Sequence, residues 1–321
     1  MKLSVKNLFS TFFPILLGLI IIYYQYTTLT DEEIENIKEY FQKANYFWIF
    51  LSLFVALFGF WSRAYRWQYT LKHLGYQSKM TSNFTTVCIS YFMNLTIPRS
   101  GEVTRAVLIK KYENIPFDKA FGTIVAERII DFILFLIIVF IAFIVQFHVL
   151  IDFIKDSFSI SKIIIFSIVF IVTTIISILI WFYAEWKIIT KIKQKLSGLI
   201  EGITSVLYMK NRWNFLFHSI FIWFTYLLMF YVTIFALPET SEISFPIVLM
   251  GFIFGSLAVG FTSGGLGAYP LAVALILSLY GVSNDVGTAF GWLIWTSQTL
   301  LIIFLGLLSY LYLGLFQKKS S

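Results

Sequence analysis

Six long apolar stretches constrain the fold of this chain more than any other feature of its sequence. A helix needs about 20 mostly apolar residues to cross the hydrocarbon core of a bilayer. Stretches of this kind lie at residues 9–26, 46–67, 120–146, 161–183, 214–236 and 287–315. The chain is 59% hydrophobic and 13% charged, which is about half the charge of an average soluble domain. We therefore predict an all-α polytopic membrane protein, folded as a single membrane domain over residues 1–321.

The charges between these stretches predict one orientation in the membrane, because Lys and Arg concentrate in cytoplasmic loops. Acidic or weakly charged loops are expected outside at residues 31–40, 148–159 and 238–244. Basic loops are expected inside, and their charges are Lys2, Lys6, Arg63, Arg66, Lys72, Lys79, Lys110, Lys111, Lys119, Lys187, Lys191, Lys193, Lys195, Lys210, Arg212, Lys318 and Lys319. Both termini are therefore predicted to be cytoplasmic. The net charge of +7 follows from these loops and does not indicate a nucleic-acid partner.

Two further apolar stretches are interrupted and predict re-entrant helical hairpins. Residues 82–97 lead into PRSGE and then into the short basic run VTRAVLIKKY. At about 1.5 Å per residue, residues 101–112 cover about 18 Å, which is too short for a hydrocarbon core about 30 Å thick. We therefore predict a hairpin over about 82–112, entering from the cytoplasm. By analogy, residues 246–281 are expected to form a second hairpin entering from outside, although its apolar arms leave two full crossings open.

The order of these elements predicts an inverted repeat. Residues 1–146 and residues 161–316 each contain span, span, hairpin and span, with opposite orientation in the membrane. The sequence AFG opens the span after each hairpin, at residues 120–122 and 289–291. Inverted repeats with broken helices are typical of transporters whose binding site lies near the middle of the membrane. The predicted fold is thus six full spans and two re-entrant hairpins in a 4+4 arrangement.

The turn of the first hairpin, NLTIPRSGEVTR at residues 94–105, has features of an anion site. Pro98 ends the incoming helix, and Ser100 and Gly101 allow a tight reversal. The outgoing helix then starts at membrane depth, where its free backbone N–H groups and positive dipole end attract anions. The alternative is a cytoplasmic loop whose charges are solvated.

Charged side chains accompany this turn. Arg99 and Arg105 suit a phosphate group, because a planar guanidinium can bind two oxygens at once. Glu102 lies three residues before Arg105, so the two side chains are predicted to pair on one helical face. We expect this segment to bind an anionic headgroup.

A second charged group lies in the next span, within IVAERIIDFILF. Glu127, Arg128 and Asp131 share one arc of that helix, and each charge facing lipid there would cost about 2.5 to 3.5 kcal/mol. They must therefore face other charges or a wet cavity. Together with the three charges at the first turn the total is zero, so a phosphate would displace a carboxylate, or a carboxylate would take up a proton. Structural ion pairing alone is the alternative.

The turn of the second hairpin, GFTSGGLGAYP, carries no charge. Thr262 and Ser263 offer hydroxyl groups, and Gly264 and Gly265 allow a ligand to approach the backbone closely. The predicted substrate site is therefore charged in the first half of the chain and hydroxyl-bearing in the second. Ordinary helix packing through small residues is the alternative.

Other chemistries find little support in the sequence. His73, His148 and His218 are scattered without the spacing of metal ligands, so no metal or other cofactor is expected. The acidic segment TDEEIENIKEYFQKA, at residues 30–44, is predicted to be a solvated or interfacial helix. The alternative is an outer catalytic loop.

The charged motifs resemble those of the membrane-domain family named for lysylphosphatidylglycerol synthase. Its members typically show Pro-x-x-Gly-Glu-x-x-Arg followed by Glu-Arg-x-x-Asp, and the matching residues here are Pro98, Gly101, Glu102, Arg105, Glu127, Arg128 and Asp131. The dipeptide Arg66-Trp67 and the later GGLGAYP are also similar to family patterns. The resemblance implies an integral membrane domain that translocates lipids, best known for moving aminoacylated phosphatidylglycerol between leaflets. It also implies a prokaryotic cytoplasmic membrane.

We therefore predict a lipid flippase or transporter, not an enzyme, whose partner is a membrane lipid with an anionic headgroup. The lipid is expected to be a phospholipid or a polyprenyl-phosphate type, since some family members are linked to polyprenyl-phosphate sugars. Arg99 and Arg105 would hold the phosphate, and Arg128 would lock the carboxylates or contact the phosphate. The carboxylates would balance charge, bind an amine or carry a proton, so proton coupling is left open.

The alternative function is a membrane enzyme that uses a polyprenyl-phosphate-linked sugar donor. Such an enzyme would need an essential acid on the outer face, for which Asp31, Glu32 and Glu33 are the candidates. Larger members of the family also carry a soluble aminoacyl-transferase domain. Since no polar stretch of this chain is long enough to hold that domain, lipid synthesis is not expected.

Overall fold

The structure of the chain is a computed structural model that describes residues 5–147, 206 and 208–315. Every regular element in these residues is a helix. The helices that are long and apolar enough to cross a membrane are Tyr46–His73, Phe117–Val145, Arg212–Ala236 and Asn284–Leu315. These helices confirm the prediction of an all-α polytopic membrane protein.

The chain begins with two helices that meet at a sharp bend. Helix α1 covers Val5–Thr28 and helix α2 covers Asp31–Lys43, and the bend between them is 113°. Helix α2 starts at a capping box, in which the Thr30 hydroxyl accepts from the backbone of Glu33 and the Glu33 carboxylate accepts from the backbone of Thr30. The acidic segment is therefore a capped helix, as predicted, and Glu33 is engaged in its cap.

Four helices complete the first part of the chain. They are α3 (Tyr46–His73), α4 (Met80–Thr96), α5 (Ser100–Glu113) and α6 (Phe117–Val145). Helices α4 and α5 lie where the first hairpin is predicted, and they pack against each other. A Cβ atom on Gly101 would lie 2.1 Å from the Ser90 carbonyl oxygen, so the two helix backbones can approach this closely only because residue 101 is glycine.

The second part of the chain repeats the pattern of one long helix, two short helices and one long helix. The helices are α7 (Arg212–Thr233), α8 (Phe245–Ala258), α9 (Ala268–Leu279) and α10 (Asn284–Leu315), with 3-10 turns at Ile234–Ala236, Pro238–Thr240 and Ser263–Gly265. The turn between α8 and α9 needs glycine, because Gly264, Gly265 and Gly267 have φ values of +59°, +80° and +69°. The predicted span at 161–183, the loop at 148–159 and the basic residues 187–195, 318 and 319 lie outside the described residues.

The core forms where the two parts of the chain meet. Helix α3 packs against α7, and α10 packs against α4 and α9. Phe230, Phe252 and Phe290 stack edge to face inside the largest buried cluster. At one end, the Asn36 amide of α2 donates to Asp285 Oδ2 of α10 over 2.9 Å. This packing sets α3 and α7 beside α6, and it thereby fixes the position of the charged residues.

Candidate functional site

Three helices bring a group of opposite charges together inside the protein. We call this group the charge cluster; its members are Arg63 and Arg66 of α3, Glu102 and Arg105 of α5, and Glu127, Arg128 and Asp131 of α6. Most of these side chains are almost completely buried, with Arg66 and Glu127 at 0% exposure. Four arginines face three carboxylates, so the cluster carries a net charge of about +1 when all its groups are ionised.

Asp131 is held by both arginines of α3. Arg66 donates from Nη1 to Asp131 Oδ1 over 2.6 Å and from Nη2 to Oδ2 over 3.1 Å. Arg63 Nη1 donates to the same Oδ2 over 3.1 Å, and Arg66 also donates to the Ser219 hydroxyl of α7. A two-pronged contact of this kind fixes orientation as well as charge. Asp131 therefore has a structural role between α3 and α6.

Glu127 is paired as completely as Asp131. Arg105 donates from Nη1 to Glu127 Oε2 over 2.9 Å, and Arg66 Nη2 lies 3.5 Å from the same oxygen. The Arg105 guanidinium also stacks on the Trp67 ring, with its central carbon 3.7 Å from the ring centre. Trp67 is fixed in turn because its Nε1 donates to the Thr123 hydroxyl. The Arg105–Glu127 pair is thus enclosed by protein, and although Arg105 Nε has no hydrogen-bond partner among the described residues, its burial keeps it from a ligand.

Arg128 and Glu102 form the open side of the charge cluster. The Arg128 side chain is 41% exposed, and its Nε lies 3.7 Å from Glu102 Oε1. Its Nη1 lies 3.8 Å from Asp131 Oδ2, so both contacts are ion pairs longer than a hydrogen bond. Among the described residues, Arg128 Nε and Glu102 Oε2 are buried atoms with no hydrogen-bond partner. The Nε atoms of Arg63, Arg66 and Arg105 also lack a partner there, but those side chains are almost completely buried. Arg128 and Glu102 are therefore the accessible groups with unused capacity for a charged ligand.

The predicted site residues of the first turn separate in the structure. Arg99 is an exposed residue at the turn, with φ +62°, and its guanidinium makes no ion pair with a described residue. Ser100 turns its hydroxyl back onto the carbonyls of α4. The Gly101 N–H donates to Asn94 Oδ1 over 2.7 Å. The expectation that the start of α5 offers its free N–H groups to an anion is therefore wrong for Gly101, because Asn94 takes that donor.

The predicted pairing of Glu102 with Arg105 is also wrong. Within the described residues, Arg105 pairs with Glu127 and Glu102 lies nearest Arg128. Local spacing on α5 would allow the predicted pair. Arg105 pairs with Glu127 of α6 instead, because Glu127 is fully buried and needs a counter-charge.

Arg63 and Arg66 are the site residues that the sequence reasoning assigned wrongly. The distribution of basic residues predicts both as cytoplasmic loop charges, but the structure buries both in the middle of the site. The signal was present, since both lie inside the apolar stretch 46–67 and are three residues apart, on one helical face. A charge inside a predicted span normally faces the protein interior.

The second turn supplies hydroxyl groups instead of charges. Thr262 and Ser263 are buried, and among the described residues their hydroxyl oxygens have no hydrogen-bond partner. The Gly264 carbonyl accepts from Trp295 Nε1 over 2.8 Å, which ties the turn to α10. Gly265 packs beside the Trp295 and Tyr269 side chains. The two unpartnered hydroxyls are the polar groups that this turn leaves available.

The second turn also contacts the end of the first hairpin. A Cβ atom on Gly264 would lie 2.5 Å from a methyl carbon of Leu95, which is three residues before Pro98. On its other side, a Cβ atom on Gly267 would lie 2.7 Å from the Gly18 carbonyl oxygen of α1. The turns therefore meet across a leucine side chain. Across the described ranges, no three His, Cys, Asp or Glu side chains stand close enough to hold a metal ion.

Comparisons with known proteins identify relatives of the chain. The family model described as "Lysylphosphatidylglycerol synthase TM region" matches residues 12–306. The UPF0104 membrane protein MJ1595 of Methanocaldococcus jannaschii is 38% identical over 74 residues, which is 22% of this chain and 22% of that protein. Glycosyltransferase AglD of Haloferax volcanii is 34% identical over 70 residues, which is 22% of this chain and 11% of that protein. No solved structure matches the chain.

Proposed function

We propose that this chain, which belongs to the lysylphosphatidylglycerol synthase transmembrane-region family, moves an anionic lipid between the two leaflets of its membrane. The observation that carries the proposal is the open side of the charge cluster. Arg128 and Glu102 are the partly exposed members of the cluster, and each keeps a side-chain atom without a hydrogen-bond partner among the described residues. A charged headgroup is the ligand that such a side fits best, because buried charges need a partner.

The proposed fold contains six full spans and two re-entrant hairpins in an inverted 4+4 repeat, over residues 1–146 and 161–316. Its support is the length of the short helices. Helix α8 has 14 residues and α9 has 12, which cover about 21 Å and about 18 Å of a core about 30 Å thick. Helix α5 is as short as α8. Irregular backbone at membrane depth is tolerated where protein covers it or a cavity faces it.

We propose that the headgroup phosphate binds Arg128, with Arg99 at the entrance. Arg128 is half-exposed and makes no hydrogen bond to a described residue, and Arg99 is exposed at the turn. We do not assign phosphate binding to Arg105, because its guanidinium already contacts Glu127 and the Trp67 ring. The arginines of α3 hold Asp131 instead of the ligand. The phosphate-binding role thus moves from Arg105 to Arg128.

Glu102 and the second turn complete the proposed site. The unpartnered Glu102 oxygen would accept from a headgroup amine, and it is the carboxylate that we propose for proton exchange. Ser263 with Thr262 would donate to headgroup oxygens on the far side, and Gly264 and Gly265 would let the lipid approach the backbone. The lipid tails would stay in the bilayer. We expect the membrane to be a prokaryotic cytoplasmic membrane, with both termini on the cytoplasmic side.

The test is lipid movement by the full chain in vesicles of phosphatidylglycerol and phosphatidylethanolamine. A trace of fluorescent phosphatidylglycerol, or of a fluorescent polyprenyl phosphate, is bleached from outside with dithionite. We expect Arg128→Gln to slow movement about tenfold or more, since a hydrogen bond to a charged group is worth about 1.5 to 3 kcal/mol. Lys110→Gln, which removes an exposed charge from the same hairpin, is the matched control. Equal rates for Arg128→Gln and the control would refute the site.

A second candidate function is glycosyl transfer, and one observation favours it. The chain shares 34% identity over 70 residues with a protein named as a glycosyltransferase. Under this proposal, exposed Asp31 or Glu32 at the start of α2 would act on a polyprenyl-phosphate-linked sugar, because Glu33 is held in the helix cap. The discriminating experiment is Asp31→Asn with Glu32→Gln. Loss of sugar transfer with unchanged lipid movement would favour the enzyme.

A further inference from the structure

A line of hydrogen bonds leaves the charge cluster through Arg63. Its Nη1 donates to Asp131, and its Nη2 donates to the Tyr226 hydroxyl of α7 over 3.1 Å. The Tyr226 oxygen lies 2.7 Å from the Tyr91 oxygen of α4. The line therefore runs from α6 through α3 and α7 to the first hairpin, and it connects the two parts of the chain.

The direction of the first bond on this line follows from the chemistry of the groups. A guanidinium can only donate, so the Tyr226 oxygen accepts from Arg63. In the bond between the two phenols either oxygen could be the donor, and the phenol that accepts keeps a hydrogen for which no described residue supplies an acceptor. When Tyr226 donates, that hydrogen belongs to Tyr91 and points onward. Since hydrogen bonds in a chain polarise one another, the positive charge of Arg63 makes this last O–H a stronger donor.

A second donor without a partner lies next to the line. Trp223 precedes Tyr226 by one helical turn, and the two ring centres are 6.0 Å apart. Its indole nitrogen is buried and has no hydrogen-bond partner among the described residues. Buried donors of this kind are normally satisfied by protein, water or ligand. A ligand with acceptor oxygens would satisfy donors of this kind.

The position of Tyr91 connects the charge cluster to the second turn. Leu95 follows Tyr91 by four residues on α4, so the two side chains share one face of the helix. Leu95 is the residue that contacts Gly264. Tyr91 is partly exposed and is joined at its hydroxyl to Tyr226 and Arg63. It therefore stands between the charged half and the hydroxyl-bearing half of the site.

We propose that the Tyr91 hydroxyl is a second subsite for the phosphate of the lipid headgroup, reached between the charge cluster and the second turn. The inference rests on the proposed lipid movement and deepens it, because it adds an uncharged donor for the phosphate that we propose at Arg128. Tyr91 contacts the ligand, and Tyr226 is a positioning residue that acts through Tyr91.

The experiment measures binding and movement in parallel with the full chain. Binding of dihexanoyl-phosphatidylglycerol and of dihexanoylglycerol, which lacks the phosphate, is measured in detergent, and movement is measured in the vesicles described above. The variants are Tyr91→Phe, Tyr226→Phe and the double variant. Tyr231→Phe is the control, because Tyr231 lies on the same helix as Tyr226 and contributes ring contacts.

We expect Tyr91→Phe to weaken binding of the phospholipid and to slow movement about tenfold, which is the effect of one charge-assisted hydrogen bond. Tyr226→Phe keeps the Tyr91 donor but removes its polarisation, so the expected loss is about threefold. The double variant should be no worse than Tyr91→Phe, because both changes act on the same contact. Binding of the phosphate-free lipid should stay unchanged in all variants.

The outcomes separate this inference from the proposed function. If Arg128→Gln slows movement while Tyr91→Phe matches Tyr231→Phe, lipid movement stands and the subsite is refuted. Equal loss of both dihexanoyl lipids in Tyr91→Phe would indicate a packing role and would also refute it. If the unaltered protein moves neither fluorescent lipid, the proposed function fails and the subsite fails with it. Should Tyr91→Phe not fold, Tyr226→Phe decides the matter: unchanged binding of the phospholipid in that variant would refute the subsite.

Discussion

The two hairpin turns of this protein occupy corresponding places in the chain and use different chemistry. The first turn leads into α5, which carries Arg105 into a network of buried ion pairs. The second turn has no charge, and the hydroxyl groups of Thr262 and Ser263 have no hydrogen-bond partner among the described residues. Ion pairs thus fix the helix that follows the first turn, and the second turn is held by glycine geometry and by a bond from Trp295.

The difference shows how a membrane protein can bury a polar site at a limited cost in folding free energy. The charged half is expensive to bury, so its groups are paired almost completely and have little freedom. The hydroxyl-bearing half is cheap to bury, so it can leave capacity unused for a ligand. We expect substitutions in the fully buried ion pairs to act mainly on stability, and those at the accessible groups of the cluster and at the second turn to act mainly on transport.

The largest effect is expected at Glu127, and it would test whether the first half is a structural network. Glu127→Ala leaves Arg66 and Arg105 without one counter-charge in a fully buried place. Removing one partner of a buried pair costs about 3 to 5 kcal/mol, so thermal unfolding in detergent should shift strongly and the yield should fall. Glu35→Ala, which breaks an exposed pair with Lys38, is the control and should change little. A normal unfolding temperature for Glu127→Ala would contradict the network.

The next effect is expected at Gly101, and it would test the close packing of the first hairpin. In Gly101→Ala the new Cβ meets the Ser90 carbonyl at 2.1 Å, so α4 and α5 must separate. Overpacking of this kind costs about 1 to 3 kcal/mol. Gly122→Ala on α6 is the matched control, because nothing lies within 4 Å of its added Cβ, and it should be neutral or slightly stabilising. The same unfolding measurement checks both, and equal stabilities would refute the tight contact.

A smaller effect with the opposite sign is expected in the second turn. Thr262→Val and Ser263→Ala remove hydroxyls that have no hydrogen-bond partner among the described residues. Each change should raise the free energy of unfolding by about 1 kcal/mol, since the desolvation cost of the hydroxyl disappears. Lipid movement should nevertheless become slower. Loss of stability in both variants would mean that these hydroxyls are structural, and the contrast between the two turns would then fail.

The smallest effect on stability is expected at Arg99. Its backbone has φ +62°, a conformation that glycine adopts without strain, so Arg99→Gly should change the free energy of unfolding by less than about 1 kcal/mol. Lipid movement should slow, and it should lose part of its dependence on salt, because an exposed charge is screened by ions. Movement measured at low and high salt checks this expectation. An unchanged rate with unchanged salt dependence would remove Arg99 from the entrance.

The long helices could be predicted closely from the sequence. The stretch 120–146 became α6 at Phe117–Val145, and the stretch 287–315 became α10 at Asn284–Leu315. Apolar length alone decides such elements, because the bilayer sets the number of residues needed. The meeting of Arg105, Glu127 and Asp131 also followed from the cost of leaving charges in lipid.

The partners within the site could not be predicted in the same way. Which arginine meets which carboxylate depends on how α3 lies against α6, and the sequence pattern of one helix does not contain that information. The sequence pattern therefore predicts Arg63 and Arg66 as loop charges, although they lie within an apolar stretch. The hydrogen bond from the Gly101 N–H to Asn94 could not be predicted for the same reason, since it depends on how closely α4 and α5 pack.

The buried pairing of α3 with α6 has a consequence for how the protein is made. The chain leaves the ribosome from its amino end, so Arg63 and Arg66 emerge 68 and 65 residues before Asp131, the group that neutralises them. An arginine at the centre of an isolated helix raises the free energy of insertion by about 2.5 to 3.5 kcal/mol. Insertion of helix α3 by itself is therefore less favourable than its insertion together with α6, which supplies the partner of both arginines.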